Sequence, residues 1–180
     1  NWEREERCAI GAPFILHETE VNTETGVFKG SLERIAYEDA FEGQRYDEVK
    51  YPVWRMWEKP GDGEKYVMTA DIGEGNEKSD PHSVDVWRVT KPEMPIQVAH
   101  LHMRLIKPGP LAIQCACMAN VFGDCLLVPE SNNTGGGMFV DRIRNYVNLY
   151  KRITIGTDIE HETARLGWHT DRYTKGPMLD

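Results

Sequence analysis

The sequence predicts an α/β fold in which helices flank a mixed β-sheet, and two features of the residue pattern indicate it. Three β-rich segments follow one another with short connections, which is typical of an antiparallel meander. One further strand then lies between two segments with helical character, and a strand that returns after a crossover helix runs parallel to an earlier one. The sheet is therefore expected to contain both antiparallel and parallel pairs.

Each of these elements has its own local signal. The first strand is rich in β-branched and aromatic residues and stops at Gly73, and the second alternates polar and apolar side chains. The third strand follows a break at Lys91 and Pro92, and the fourth closes at Pro129. We predict strands at residues 65–72, 83–89, 95–103 and 125–128, and helices at residues 109–121 and 137–149.

The residues before this regular part are expected to form an N-terminal extension or linker. β-branched and aromatic residues between Gly and Pro predict short strands at residues 9–16 and 49–57. Residues 31–41 are predicted to be helical, with Ser31 as the N-cap. A Pro-Gly-Asp-Gly turn cluster marks the boundary. The predicted division is an extension at 1–64 and a domain at 65–180.

Length and composition favour one sizeable core, because 180 residues with 40% hydrophobic content exceed the minimum for a stable domain. No leader pattern and no apolar run of membrane-spanning length occurs, so no membrane association is expected. The start at Asn1 leads us to expect a piece of a longer polypeptide. The net charge is −8, but basic residues collect in the last third, which allows one basic face for a nucleic acid.

The four cysteines and the histidines receive structural interpretations. The cysteines lack the paired spacing of a zinc site, so we expect reduced thiols, and Cys115 and Cys117 in their apolar stretch are expected to be buried. His100 and His102 share one strand face, but without a third ligand they are expected to be half-buried or exposed strand residues. His82, which follows Pro81, is expected in a surface turn.

Asp71 and Glu130 each stand at the end of a predicted strand, and these two strands are the expected neighbours. Carboxylates that project from adjacent strand ends can share divalent cations, a site that suits phosphoryl chemistry. The segment from Ser131 to Gly137 leads into a helix whose first amides attract anions, so it could hold a scissile phosphate. Spacing alone favours the alternative that Asp71 is an ordinary carboxylate at a turn and Glu130 an exposed cap before a helix.

Two motifs carry a family resemblance. The string Tyr-Val-Met-Thr-Ala-Asp-Ile-Gly-Glu-Gly, at residues 66–75, resembles the first acidic motif of the nuclease domain of viral large terminases, the subunits that package genomes. Val-Pro-Glu-Ser-Asn-Asn-Thr-Gly, at residues 128–135, resembles the second. Segments 146–150, 167–170 and 174–179 are similar to later family motifs, so the resemblance extends over most of the second part of the chain.

The resemblance implies a ribonuclease-H-like fold and a hydrolase that cuts concatemeric double-stranded DNA with two Mg²⁺ or Mn²⁺ ions. It implies that Asp71 and Glu130 are the catalytic metal ligands. A third acidic ligand is expected beyond the Thr-Lys-Gly-Pro segment, and Asp180 follows that segment too closely to be it. We predict substrate contacts from a set of polar, glycine and basic residues, namely Asn132, Asn133, Gly135, Arg142, Arg172 and Lys175.

The implied partners are an ATPase domain upstream in the same polypeptide, the portal and the small terminase subunit, in the cytoplasm of the infected host cell. Two other functions stay open at this point. One is a Holliday-junction resolvase or integrase-like nuclease of the same superfamily, which would also use strand-end acids. The other is a non-catalytic module that docks a packaging motor through the acidic N-terminal third.

Overall fold

The computed structural model describes residues 11–36, 39, 52–91, 94–152 and 165–170. Nine strands and two helices lie entirely within these ranges, and we number them in chain order. The strands are β1 (Ala12–Asn22), β2 (Val27–Arg34), β3 (Val53–Met56), β4 (Tyr66–Asp71), β5 (His82–Arg88), β6 (Ile96–Met103), β7 (Leu126–Pro129), β8 (Lys151–Arg152) and β9 (Arg165–Leu166), and the helices are α1 (Pro108–Val121) and α2 (Thr134–Arg142).

Seven of the strands form one mixed sheet in the order β2-β1-β3-β6-β5-β4-β7, and β8 pairs with β9 separately. β7 runs parallel to β4, whereas the other pairs of the large sheet are antiparallel. The parallel pair arises because the chain crosses over through α1 between β6 and β7. The predicted α/β class with a mixed sheet and flanking helices is therefore confirmed.

The sequence patterns located most elements within a few residues. The four strands predicted between residues 65 and 128 correspond to β4, β5, β6 and β7, and the first helix corresponds to α1. The second helix begins three residues earlier than predicted and ends at Arg142. The chain then turns so that Tyr146 can donate its hydroxyl hydrogen to the Cys125 carbonyl oxygen at 2.8 Å, a bond made inside the core.

The helix predicted at residues 31–41 is wrong for its first six residues, because Ser31–Arg34 is the end of β2 and residues 35–36 form neither helix nor strand. Pairing with β1 places Ser31 opposite His17, and the buried Phe28 anchors the strand. Tertiary pairing thus overrides the local helical pattern. Residue 39 is helical, whereas residues 37–38 and 40–41 of this prediction lie outside the described residues.

The core lies between one face of the sheet and the two helices. Alternating residues of β4 and β5, such as Met68, Ala70, Val84 and Val86, are buried on this face, as the period of two in a strand requires. Cys115 and Cys117 are buried free thiols, as predicted, and Cys125 is also a buried free thiol, whose pKa burial raises to about 12. No described helix combines the length and apolarity needed to cross a membrane.

Three strands from the first 64 residues belong to the same sheet as the rest. β3 pairs with β6, β1 pairs with β3, and β2 pairs with β1 at the sheet edge. Phe14, Phe28 and Trp54 from these strands join the single hydrophobic cluster that also contains the residues of α1. The described part of the expected extension is therefore structurally continuous with the predicted domain.

Candidate metal and phosphate site

Asp71 and Glu130 lie side by side at one edge of the sheet. β4 ends at Asp71, and Glu130 follows β7 directly. Because the two strands are parallel neighbours, with Ala70 opposite Pro129, their carboxyl ends emerge together. The Glu130 amide donates to the Ala70 carbonyl oxygen at 2.8 Å, which extends the ladder to the glutamate itself.

The electrostatics of this edge disfavour negative charge. The pKa of Asp71 is raised above its ordinary value, first by the protein that surrounds its carboxyl group and then by the charge of Glu130 and a hydrogen bond with it. Asp80 adds a smaller repulsion, and a backbone hydrogen bond at Ile72 opposes the shift. A cation between the carboxylates would relieve this repulsion, as happens where carboxylates share a divalent ion.

The loop between β4 and β5 returns to the same edge. The Asn76 side-chain oxygen accepts hydrogen bonds from the amides of Lys78 and Ser79, at 2.9 and 3.1 Å, and this closes a compact turn. Gly73 allows the return, because a Cβ there would lie 2.1 Å from the Asp80 carbonyl oxygen. The loop thus encloses a cavity of about 400 Å³ that Asp71, Asp80 and Asn133 help to line.

Asn133 fixes the segment after Glu130 to this loop. Its side-chain oxygen accepts the Gly136 amide hydrogen at 2.7 Å and caps α2, while its side-chain nitrogen donates to the Ile72 carbonyl oxygen at 2.8 Å. Gly135 permits the contact, since a Cβ there would lie 2.4 Å from the Gly73 carbonyl oxygen. The structure therefore places Asn133 and Gly135 beside the loop that follows Asp71.

Asn132 reaches Glu130 and the late segment of the chain. Its side-chain nitrogen donates to Glu130 Oε1 and to the Thr170 carbonyl oxygen, the latter at 3.1 Å. Its side-chain oxygen accepts the Thr170 amide hydrogen at 2.7 Å. The residue is exposed, but both its polar atoms already have partners within the protein.

A second cavity, of about 460 Å³, opens on the sheet face opposite the helices and shares Asp71 with the first. Its other lining residues come from β4, β5, β7 and the late segment; among them are Thr69, Ser83, Asp85, Glu130, Trp168 and Thr170. Sequence reasoning did not select Ser83 or Asp85. The period of two along β5 could have found them, because residues across from Thr69 and Asp71 share their sheet face.

The histidines of β6 also lie on this open face. The His100 Nδ1 atom is 2.7 Å from Asp85 Oδ1, and the rings of His100 and His102 stack with centroids 6.0 Å apart. The prediction of strand histidines is confirmed. In contrast, the prediction for His82 is wrong, because it is completely buried at the start of β5.

Of the remaining predicted site residues, the structure describes Arg142, and it lies away from this edge. Arg142 is exposed at the last position of α2, eight residues beyond Thr134 and so about 12 Å along the helix. Arg172 and Lys175 lie outside the described residues. Among the described residues, no group of three or more His, Cys, Asp or Glu side chains could hold one metal ion, so Asp71 and Glu130 stand as a pair.

Comparison of the chain with models of protein families and with curated proteins gives no match.

Proposed function

We propose that this chain is the nuclease domain of a viral large terminase, a hydrolase that cuts double-stranded DNA with Mg²⁺ or Mn²⁺. The observation that carries the proposal is the meeting of Asp71 and Glu130 at the carboxyl ends of two parallel neighbouring strands. Mg²⁺ commonly takes one or two protein carboxylates and completes its shell with water and phosphate oxygens. A pair of acids with open space on both sides suits that mode of binding.

The sheet supports the ribonuclease-H-like part of the proposal. β4, β5 and β6 form an antiparallel meander. After α1 the chain forms β7, which pairs in parallel with β4 on the side that β5 does not occupy. A mixed sheet with this strand order supports the fold that the terminase resemblance implies. The two motifs on which the resemblance rests fall at the ends of the parallel strands, where ligand sites form in sheets of this kind.

The residues present supply binding and orientation. Asp71 and Glu130 would hold divalent ions, which, when bound, lower the pKa of a water molecule and stabilise the charge on the phosphate. The Gly136 amide is taken by the Asn133 cap, so the amides of Thr134 and Gly135 at the start of α2 would be the ones to attract a phosphate oxygen. In the same proposal the partners are double-stranded DNA, an upstream ATPase domain and the packaging proteins of the virus, within the host cytoplasm.

Cleavage of supercoiled plasmid DNA in the presence of Mn²⁺ tests this proposal. We expect Asp71→Asn and Glu130→Gln each to reduce the cleavage rate about 100-fold or more, as loss of a metal ligand generally does. Asp141→Asn is the matched control, because Asp141 is an exposed carboxylate in α2 that pairs with Arg144; it should cut like the wild type. Equal cutting by the wild type and both site variants would refute the proposal.

Thermal unfolding gives a second, independent readout. The raised pKa of Asp71 means that its stabilising contribution is complete below its ordinary pKa and is lost as the pH rises through the raised value. Asp71→Asn should therefore raise the Tm at pH 7 in metal-free buffer. Mn²⁺ at a hundred times its Kd should add about 2.7 kcal/mol to the wild type and much less to the variant. A Tm that Mn²⁺ leaves unchanged in the wild type would contradict the metal site.

A further inference from the structure

The side chain of Asn132 joins Glu130 to the late segment at residues 165–170. It donates to Glu130 Oε1 and to the Thr170 carbonyl oxygen and accepts from the Thr170 amide, so it makes three hydrogen bonds in two directions. The two bonds with Thr170 reproduce the exchange that paired backbones make in a sheet. In the third bond, the remaining hydrogen of the Asn132 side-chain amide is donated to one oxygen of the Glu130 carboxylate.

The chemistry of this position requires an amide of this length. Only the Asn and Gln side chains offer two donors and an acceptor in one planar group. A carboxylate at the same place has no hydrogen to give to Glu130 or to the carbonyl oxygen of Thr170. A Ser hydroxyl carries one donor and is too short to reach both partners at once.

The late segment is already held next to β7 by its backbone, and Asn132 extends that attachment towards the site. The Trp168 amide donates to the Pro129 carbonyl oxygen at 2.7 Å, and the Ser131 amide donates to the Trp168 carbonyl oxygen at 2.7 Å. Asn132 makes the next connection along this line, at Thr170. Trp168 and Thr170 then form one wall of the 460 Å³ cavity beside the carboxylates.

We propose that Asn132 is a positioning residue for the metal site: it fixes the orientation of the Glu130 carboxylate and holds the wall formed by Trp168 and Thr170 against it. Asn132 donates to Oε1 of Glu130, and in this proposal the other carboxylate oxygen faces a cation shared with Asp71. This inference rests on the proposed function. In it, Asn132 acts through Glu130, in place of the direct substrate contact that was predicted from the sequence.

The test is the Kd for Mn²⁺, measured by calorimetry on the whole chain. We expect Asn132→Ala to weaken Mn²⁺ binding about 10-fold or more, because partners that orient a ligand typically contribute 10- to 100-fold to metal affinity. Asn145→Ala is the matched control: the Asn145 side-chain nitrogen also donates to two backbone carbonyl oxygens, of Thr23 and Glu24, but at the turn between β1 and β2. It should lower the Tm and leave the Kd unchanged.

A purely structural role would lower the Tm of Asn132→Ala without changing its Kd, and that result would overturn the inference. If Asn132→Ala does not fold, Asn132→Ser takes its place, since the hydroxyl cannot join Glu130 and Thr170 together; it should bind Mn²⁺ about threefold more weakly, or worse. A Kd within about twofold of the wild type in a folded variant rejects the role of Asn132 alone. Absence of Mn²⁺ binding by the wild type rejects the metal site and this inference with it.

Discussion

The protonation state of the buried residue His82 links the fold to the pH of the solution. Its Nε2 atom lies 2.8 Å from the Ile106 carbonyl oxygen, and because a carbonyl only accepts, Nε2 carries the hydrogen. Nδ1 is buried and has no hydrogen-bond partner among the described residues. Burial lowers the pKa of His82, against the smaller opposing effect of the hydrogen bond with Ile106. The imidazole is therefore neutral in the folded protein at pH 7.

We expect the protein to lose stability as the pH falls below about 6.5, the ordinary pKa of histidine. The lowered pKa of the folded state means that the contribution is fully present above the ordinary value and is lost as the pH falls towards the folded one. Urea unfolding between pH 5 and pH 8 measures this, and His82→Gln should flatten the dependence. A dependence that is as steep in His82→Gln as in the wild type would show that another group causes it.

Among the elements, α2 is unusual because three glycines follow one another in its first turn, an unfavourable composition for a helix. The first two are explained by close backbone approaches: a Cβ at Gly135 would lie 2.4 Å from the Gly73 carbonyl oxygen, and one at Gly136 would lie 2.3 Å from the Glu130 carbonyl oxygen. The helix can therefore dock against both strand ends that carry the acids. Among the residues that the structure describes, a Cβ at Gly137 would meet no atom of another segment within 4 Å, so no close approach there requires a glycine.

Gly135→Ala and Gly137→Ala form a matched pair in one helix. Gly135→Ala should destabilise the protein by about 1–3 kcal/mol, because the backbone of two loops must shift to accept the methyl group. Gly137→Ala should stabilise it by about 0.5–1 kcal/mol, the usual difference between Ala and Gly in a helix. Chemical unfolding of both variants measures the two changes. Equal changes of the same sign in the free energy of unfolding would show that the approach of α2 to Gly73 leaves room for a side chain at position 135.

In the molecule as a whole, the two halves of the chain share one core. Phe28 of β2 is 3% exposed and contacts Tyr146, beyond α2, with ring centroids 6.2 Å apart in an edge-on arrangement. The turn between β1 and β2 also packs on this region, since a Cβ at Gly26 would lie 2.0 Å from the Asn145 carbonyl oxygen. Strands of the first 64 residues therefore contribute to the stability of the site-bearing half.

Phe28→Ala should reduce the free energy of unfolding by about 3–5 kcal/mol, the usual range for a buried Phe. The unfolding transition should remain single, because the sheet and its core form one cooperative unit. Val21→Ala, at a residue of β1 that is 37% exposed, is the control and should cost less than about 0.5 kcal/mol. Two separate transitions in Phe28→Ala would indicate that the first strands fold independently.

Several features could be predicted from the sequence because they depend on short-range patterns. The alternation of β5, the turn at Gly73 and the crossover through α1 give the order of the elements and bring Asp71 and Glu130 to the same edge. Short-range patterns could not predict that β1, β2 and β3 join the same sheet through the pairing of β3 with β6. That pairing depends on a partner strand far along the chain.

Residue periodicity and element order were enough to establish the α/β class, the mixed sheet and the neighbouring positions of the two acids, because both constrain topology strongly. Only the folded chain could decide that Ser31 belongs to a strand, that His82 is buried and that Asn132 contacts Thr170, 38 residues further on. Each of these depends on a contact between segments that are distant in the sequence. Such contacts leave no short-range pattern of residues from which they could be predicted.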